Sequence, residues 1–210
     1  MKVLSLTQAT HSEAVEAAVE VLRKDGVVLM PTDTLYALAV SAFSDRAVER
    51  IYDIKSRDPK KPLHALVDSV EMAGWYGYIS EPARNLLELL PKGKITCVVP
   101  RHVECDAGIC AEINTFGFRI PDDNLCGEII SRFGFPITAT SANRSGERPA
   151  RFVEKILTQL GDAEEHIDLV LDAGELPERE PSTVVDFSVD PPIILREGAI
   201  SAQQIKNILM

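Results

Sequence analysis

The chain has 210 residues, 45% of them hydrophobic and 26% charged, with a formal net charge of -10. That length supports one sizeable core without disulfide or metal staples, and the composition is neither disordered nor fibrous. The acid excess argues against a general nucleic-acid binder, which needs clustered Lys and Arg; the longest apolar runs, such as "VVLMP" from Val27 and "LVLDAG" from Leu169, are too short to span a bilayer.

The N-terminal "MKVLSLTQATHSEA" has no apolar region followed by a cleavage site, so no signal peptide is expected. A helix is predicted from Thr10, with Thr10 and Glu13 as a capping box, Val15, Ala18, Val19 and Leu22 on one face and Gly26 as the stop. A buried strand "VVLM" then ends at Pro31, the stretch "PTDTLYALAVSAFS" is read as a loop, and a helix begins near Asp45 and runs into Lys55. Strands are predicted at "LHALV", "KITCVVP", "FGFRIP" and "PITAT", with helices at "EPARNLLELL", "LCGEIISRF" and "FVEKILTQL" between or after them. Three more strands, "IDLVLD", "STVVDF" and "PIILR", precede a closing helix "SAQQIKNILM". This alternation predicts an α/β fold with a single twisted, open, mixed sheet flanked by helices and enclosing a concave cavity, and nothing marks a linker, so residues 1–210 are read as one domain. Cys97, Cys105, Cys110 and Cys126 form no C-x-x-C pair and the histidines are scattered, so no metal site held by protein ligands is expected and the thiols are read as reduced, as in a cytoplasm.

Four stretches offer chemistry, and each has a plain structural alternative. "PTDTLYALA" puts Thr32, Asp33 and Thr34 after a buried strand, where α/β sheets present ligand groups, but taken alone it is read first as an Asx or Ser/Thr turn bonding its own backbone. "KSRDPKKP" gathers Lys55, Arg57, Lys60 and Lys61 in an acidic chain; it reads as a solvated loop or as a phosphate site held by Pro59 and Pro62. "ATSANRSGERP" after the strand "PITAT" supplies hydroxyls, an amide and backbone N–H groups for an oxyanion, or simply turn formers. Arg119 in "FGFRIPD" and Arg196 in "IILREGAI" suit bidentate oxyanion binding, or surface ion pairs.

Taken in order, "PTDTLYALA", "IKSRDPKKPL", "GFRIPD", "TSANRSG", "STVVDF" and "ILREGAI" resemble the YrdC-like family, the threonylcarbamoyl-AMP synthases of tRNA modification. The resemblance implies an L-threonylcarbamoyladenylate synthase, a nucleotidyltransferase that makes threonylcarbamoyl-AMP and pyrophosphate from L-threonine, bicarbonate and ATP, normally with Mg²⁺. The adenylate then serves the threonylcarbamoyl modification of adenosine 37 in tRNA through further transfer proteins, with direct tRNA contact weak and no membrane involved. It implies Lys55, Arg57, Ser141 and Asn143 as the catalytic set, with ATP also contacted by Lys61, Thr115 and Arg196. For threonine it points to Thr34, Arg119, the backbone at Ala139, and Ser182. Some relatives carry a further C-terminal domain, for which this chain is expected to leave no room.

The chain departs from the family pattern at Ala37 and Ser56, where glycines are usual, at "KGKIT", where prolines are common in place of Lys92 and Lys94, and at Leu66, where a histidine is frequent. Ala37 and Leu66 leave open a paralogue handling carbamoyl-adenylate, and the resemblance, through a fold that can offer a basic concave face, leaves open an RNA-binding module, against which the net charge of -10 argues.

Overall fold

In a computed structural model that describes residues 1–6, 11–138 and 140–209, the strands divide between two mixed sheets instead of the single sheet expected. The first is built from β1 (Lys2–Ser5), β2 (Val28–Pro31), β3 (Tyr36–Ala39), β8 (Thr140–Ser141) and β9 (Leu169–Asp172), in the order β1-β9-β2-β3-β8. The second uses β4 (Ala65–Leu66), β5 (Ile95–Pro100), β6 (Thr115–Arg119), β7 (Ile137–Thr138), β10 (Thr183–Asp186) and β11 (Ile193–Arg196), in the order β11-β10-β5-β6-β4-β7. The mixed α/β class follows the sequence: β1, β9 and β2 run parallel, whereas β10 and β11 are antiparallel.

The helices are α1 (His11–Arg23), α2 (Asp45–Lys55), α3 (Val70–Gly74), α4 (Glu81–Leu89), α5 (Asn124–Phe133), α6 (Val153–Leu160) and α7 (Ala202–Leu209). Their starts are chemically marked, since Ser44, Ser69, Ser80 and Asp123 each accept a backbone N–H from the first turn of α2, α3, α4 and α5. The capping box read at Thr10 lies outside the described residues. No helix among the described residues is long and apolar enough to cross a membrane.

Two predictions fail in instructive ways. The stretch read as one loop after Pro31 contains a fully buried strand, because the apolar run from Tyr36 is continuous and returns antiparallel along β2, with Pro31 opposite Tyr36. The strand "PITAT" is shared: Ile137 and Thr138 pair with β4 in the second sheet, while Thr140 and Ser141 pair with β3 in the first. The pairs Ala37 with Ser141, Leu38 with Thr140 and Ser41 with Ile137 keep one antiparallel register across that change, so one ladder joins the two sheets. Around them Val28, Leu29, Leu38, Phe116, Phe118 and Val170 are fully buried in a continuous core.

Candidate active site

The basic octet begins where α2 ends. Ser56, just past the helix, adopts a left-handed conformation (φ 46°), its N–H bonds the Asp53 carbonyl (3.0 Å) and the Arg57 N–H bonds that of Tyr52 (2.9 Å). This pattern is a Schellman motif, which reverses the chain sharply and sends Lys55 inward and Arg57 into the following loop. Arg57 curls that loop around itself, donating from Nε to the Lys61 carbonyl (3.2 Å) and from Nη2 to that of Pro62 (3.0 Å). Lys60 and Lys61 are both exposed.

Lys55 is 2% exposed, and its ammonium spends its donors on the strand that leaves the shared ladder. It bonds the carbonyls of Ser141 and Asn143 (2.7 Å to the latter) and the Asn143 Oδ1 (3.3 Å), while its own carbonyl receives the Ser145 N–H (2.8 Å). The Ser141 hydroxyl donates to Asn143 Oδ1 (2.5 Å), and Asn143 Nδ2 donates to the carbonyls of Arg144 and Glu147. Three of the four expected catalytic residues thus form one cross-braced unit. Burial first, then the Arg57 charge, pushes the Lys55 pKa down to about 8.

The second sheet supplies the cations. Residues directly opposite in paired strands share a face. Arg196 pairs with Val184, Val184 with Thr96, and Arg119 with Leu66. Thr96 and Arg119 meet at the next rung of the β5–β6 register, so all five stand in one row on one face. Phe116 and Phe118 point the other way into the core, leaving Thr115 and Arg119 on the row's side of β6. Arg196 donates to the Ser182 carbonyl (2.8 Å) and hydroxyl (3.4 Å), and that hydroxyl meets the Thr96 hydroxyl at 2.8 Å. Partial burial, then Arg119, lowers the Arg196 pKa.

Arg119 is already held. Its Nη1 reaches both carboxylate oxygens of Asp33 (2.6 Å each) in an ion pair whose side chains are 7% and 3% exposed. Gly93 makes room for it: at φ 77° it takes the left-handed conformation, and a Cβ there would overlap the Asp33 carboxylate. Asp33 belongs to the turn after β2, where the Thr32 hydroxyl accepts the N–H groups of Thr34 (3.1 Å) and Leu35 (3.2 Å). The plain reading of the threonines as a backbone-satisfying turn therefore holds, while Asp33 between them reaches across to the second sheet. Arg179 ties down the same turn through the Asp33 carbonyl (3.0 Å).

Arg57, Arg119 and Arg196 are linked through one further residue, and Lys55 is tied to this group by the Arg57 charge that acts on it. The charges of Arg119, Arg196 and Arg57 all act on His64, which precedes β4. Ser141 and Asn143 join this neighbourhood through Lys55, Ser182 through Arg196 and Thr34 through the Asp33 turn. Thr115 lies on the same strand face as Arg119 but at the far end of β6; Ala139 lies outside the described residues. Thr96 and His64 were missed by sequence reasoning, and Asp33 was named there only with the threonines of its turn, although the alternation of "PLHALV" puts His64 and Leu66 on one strand face.

A separate cavity of about 550 Å³ opens where the parallel strands β1, β9 and β2 end, lined by Thr32, Asp33, Thr34, Asp122, Asp123 and Arg179 among others. Of the expected site residues only Thr34 reaches it. Its carboxylates suit a triphosphate poorly, so the arginine row is the better oxyanion site.

A family model described as telomere recombination (Sua5_yciO_yrdC) matches residues 20–198. A threonylcarbamoyl-AMP synthase of Mus musculus is 39% identical over 184 residues, covering 85% of this chain and 64% of the relative; the chain thus spans a little under two thirds of that relative's length. A putative threonylcarbamoyl-AMP synthase of Methanocaldococcus jannaschii is 28% identical over 205 residues, 98% of this chain and 95% of the relative. Among solved structures, P. abyssi Sua5 complexed with L-threonine superposes with a TM-score of 0.87 at 26% identity, covering 99% of this chain and 61% of that one. With most of its length matched by the family model and its whole architecture shared with a solved member, the chain belongs to the Sua5/YciO/YrdC family.

Proposed function

We propose that the chain is an L-threonylcarbamoyladenylate synthase, using L-threonine, bicarbonate and ATP. The observation that carries this reading is the row that sets Arg119 and Arg196, from distant parts of the sequence, on one face of the second sheet with His64, where the Arg57 charge is also felt. Threonine's amine and bicarbonate form a carbamate with loss of water; a carbamate oxygen then attacks the α-phosphorus, and the bond to pyrophosphate breaks. Several anions must therefore lie close together, and guanidinium groups fixed before the reaction stabilise the charge that develops.

Arg57, Lys61, Thr115, Ser141 and Arg196 are assigned to ATP, with Arg57 and Lys61 at the phosphates. Thr34, Arg119, Ser182 and the backbone at Ala139 are assigned to threonine, with Arg119 at its carboxylate; Asp33 sets the angle of that guanidinium. Lys55 is assigned a positioning role, because its ammonium faces protein carbonyls and holds Ser141 and Asn143 in place. Among the described residues no three His, Cys, Asp or Glu side chains converge on a metal position, so Mg²⁺ is proposed to enter on the triphosphate and to offset charge on the departing pyrophosphate. Proteins that carry the adenylate onward to tRNA are the proposed partners.

The test is pyrophosphate release that depends on L-threonine, bicarbonate and ATP together, repeated on Arg57→Ala, where a loss of about a hundredfold or more is expected. No turnover with any small amino acid would overturn the reading; unchanged activity in the variant would overturn the Arg57 assignment alone. Turnover with carbamoyl phosphate in place of threonine and bicarbonate would favour the carbamoyl-adenylate paralogue, to which Ala37 and Leu66, the latter apolar and 1% exposed beside Arg119, are the pointers.

A further inference from the structure

His64 stands on the arginine-bearing face of the second sheet. Ala65 lies opposite Phe118, which faces the core, so His64 lies opposite Gly117, on the side of Thr115 and Arg119. Gly117 gives it space: a Cβ there would stand 3.2 Å from that of the histidine. The residue keeps some surface, but its ring lies deep, and burial followed by the charges of Arg119, Arg196 and Arg57 pushes its pKa down to about 4. At neutral pH the imidazole is therefore uncharged, with one N–H and one lone pair.

A synthase site must hold an amine as well as anions. Arg57, Lys61, Arg119 and Arg196 can only donate hydrogen bonds. Of the acidic groups nearby, both Asp33 oxygens accept Arg119, and Asp186, on the rung of Gly117 and three strands from His64, accepts the Ser188 N–H and hydroxyl at Oδ1. Among the described residues the His64 ring has no hydrogen-bond partner. An amino group whose lone pair must point at carbon needs an acceptor for its N–H, and three guanidinium groups disfavour an ammonium beside them.

We infer that His64 is a further substrate-contact residue, its imidazole accepting a hydrogen bond from the amino group of the amino-acid substrate and so fixing the direction of the nitrogen lone pair. This contact rests on the synthase reading above.

His64→Leu fills the space without an acceptor, and His64→Gln retains one. With L-threonine and ATP varied separately in the pyrophosphate assay, His64→Leu is expected to raise KM for threonine about tenfold and leave that for ATP within about twofold, with His64→Gln in between. Titration calorimetry with L-threonine should rank the three proteins in the same order. Unchanged threonine KM in both variants, or an equal rise for threonine and ATP, overturns the contact. Should His64→Leu lose its cooperative unfolding transition, His64→Gln decides alone: a rise confined to threonine supports the contact, and a rise in both substrates or in neither overturns it. An active wild type with unaffected variants removes this contact only, whereas a wild type inactive with every small amino acid removes the synthase reading and the contact together.

Discussion

Lys55 is a cation turned inward to brace a loop, and that makes its contribution depend on pH. Its pKa of about 8 in the folded protein lies below the ordinary 10.5, so between those values the unfolded chain binds the extra proton. Stability from this group therefore rises with pH through that window, by up to about 1.4 kcal/mol per pH unit. Below about pH 8 both states are protonated and the slope vanishes. Lys55→Met leaves the Ser141 and Asn143 carbonyls without their donor, at a cost of about 1–3 kcal/mol near neutral pH. Denaturant unfolding of both proteins on either side of the window should show the wild type gaining on the variant as pH rises. The Asp33–Arg119 pair makes a larger demand. Removing one partner, as in Arg119→Met, strands a buried charge and is expected to cost about 3–5 kcal/mol in the same unfolding measurement. A loss under about 1 kcal/mol would place that pair in effective contact with solvent.

At the scale of elements, the end of α2 is the most telling place. Ser56 stands where the family resemblance implies a glycine, and its positive φ of 46° shows what glycine would relieve. Ser56→Gly is expected to stabilise the protein by about 0.5–1 kcal/mol, the left-handed strain outweighing the added freedom of the unfolded chain. A lower midpoint in thermal unfolding would contradict that. Most helices and strands were legible because amphipathic spacing and N-cap residues are local signals: Val15, Ala18, Val19 and Leu22 mark one face of α1, and Asp123 caps α5. The strand at Tyr36 was hidden by polar neighbours on its N-terminal side and by its own fully buried pattern, which lacks alternation. The division of strands between two sheets depends on pairings between distant segments, which no local pattern records. The same holds for the site: Arg57, Arg119 and Arg196 were visible as residue types, but the carboxylate holding Arg119 lies 86 positions away in sequence.

At the scale of the whole molecule, the net charge of -10 and the small arginine site are compatible because Arg119 and Arg196 stand in one strand row instead of covering a surface. A gel shift with tRNA is therefore expected to show no salt-sensitive binding tighter than about micromolar. Tighter binding would revive the RNA-binding reading. The ladder shared by both sheets bears on how such a chain tolerates insertions and deletions. Because 36–41 and 137–141 keep a single register through both sheets, adding or removing one residue within either run would reverse side-chain orientation in the two sheets together. Length variation among homologous chains should accordingly fall in segments such as 101–107, and spare this ladder, whose register spaces the Ser141–Asn143 turn from the arginine row.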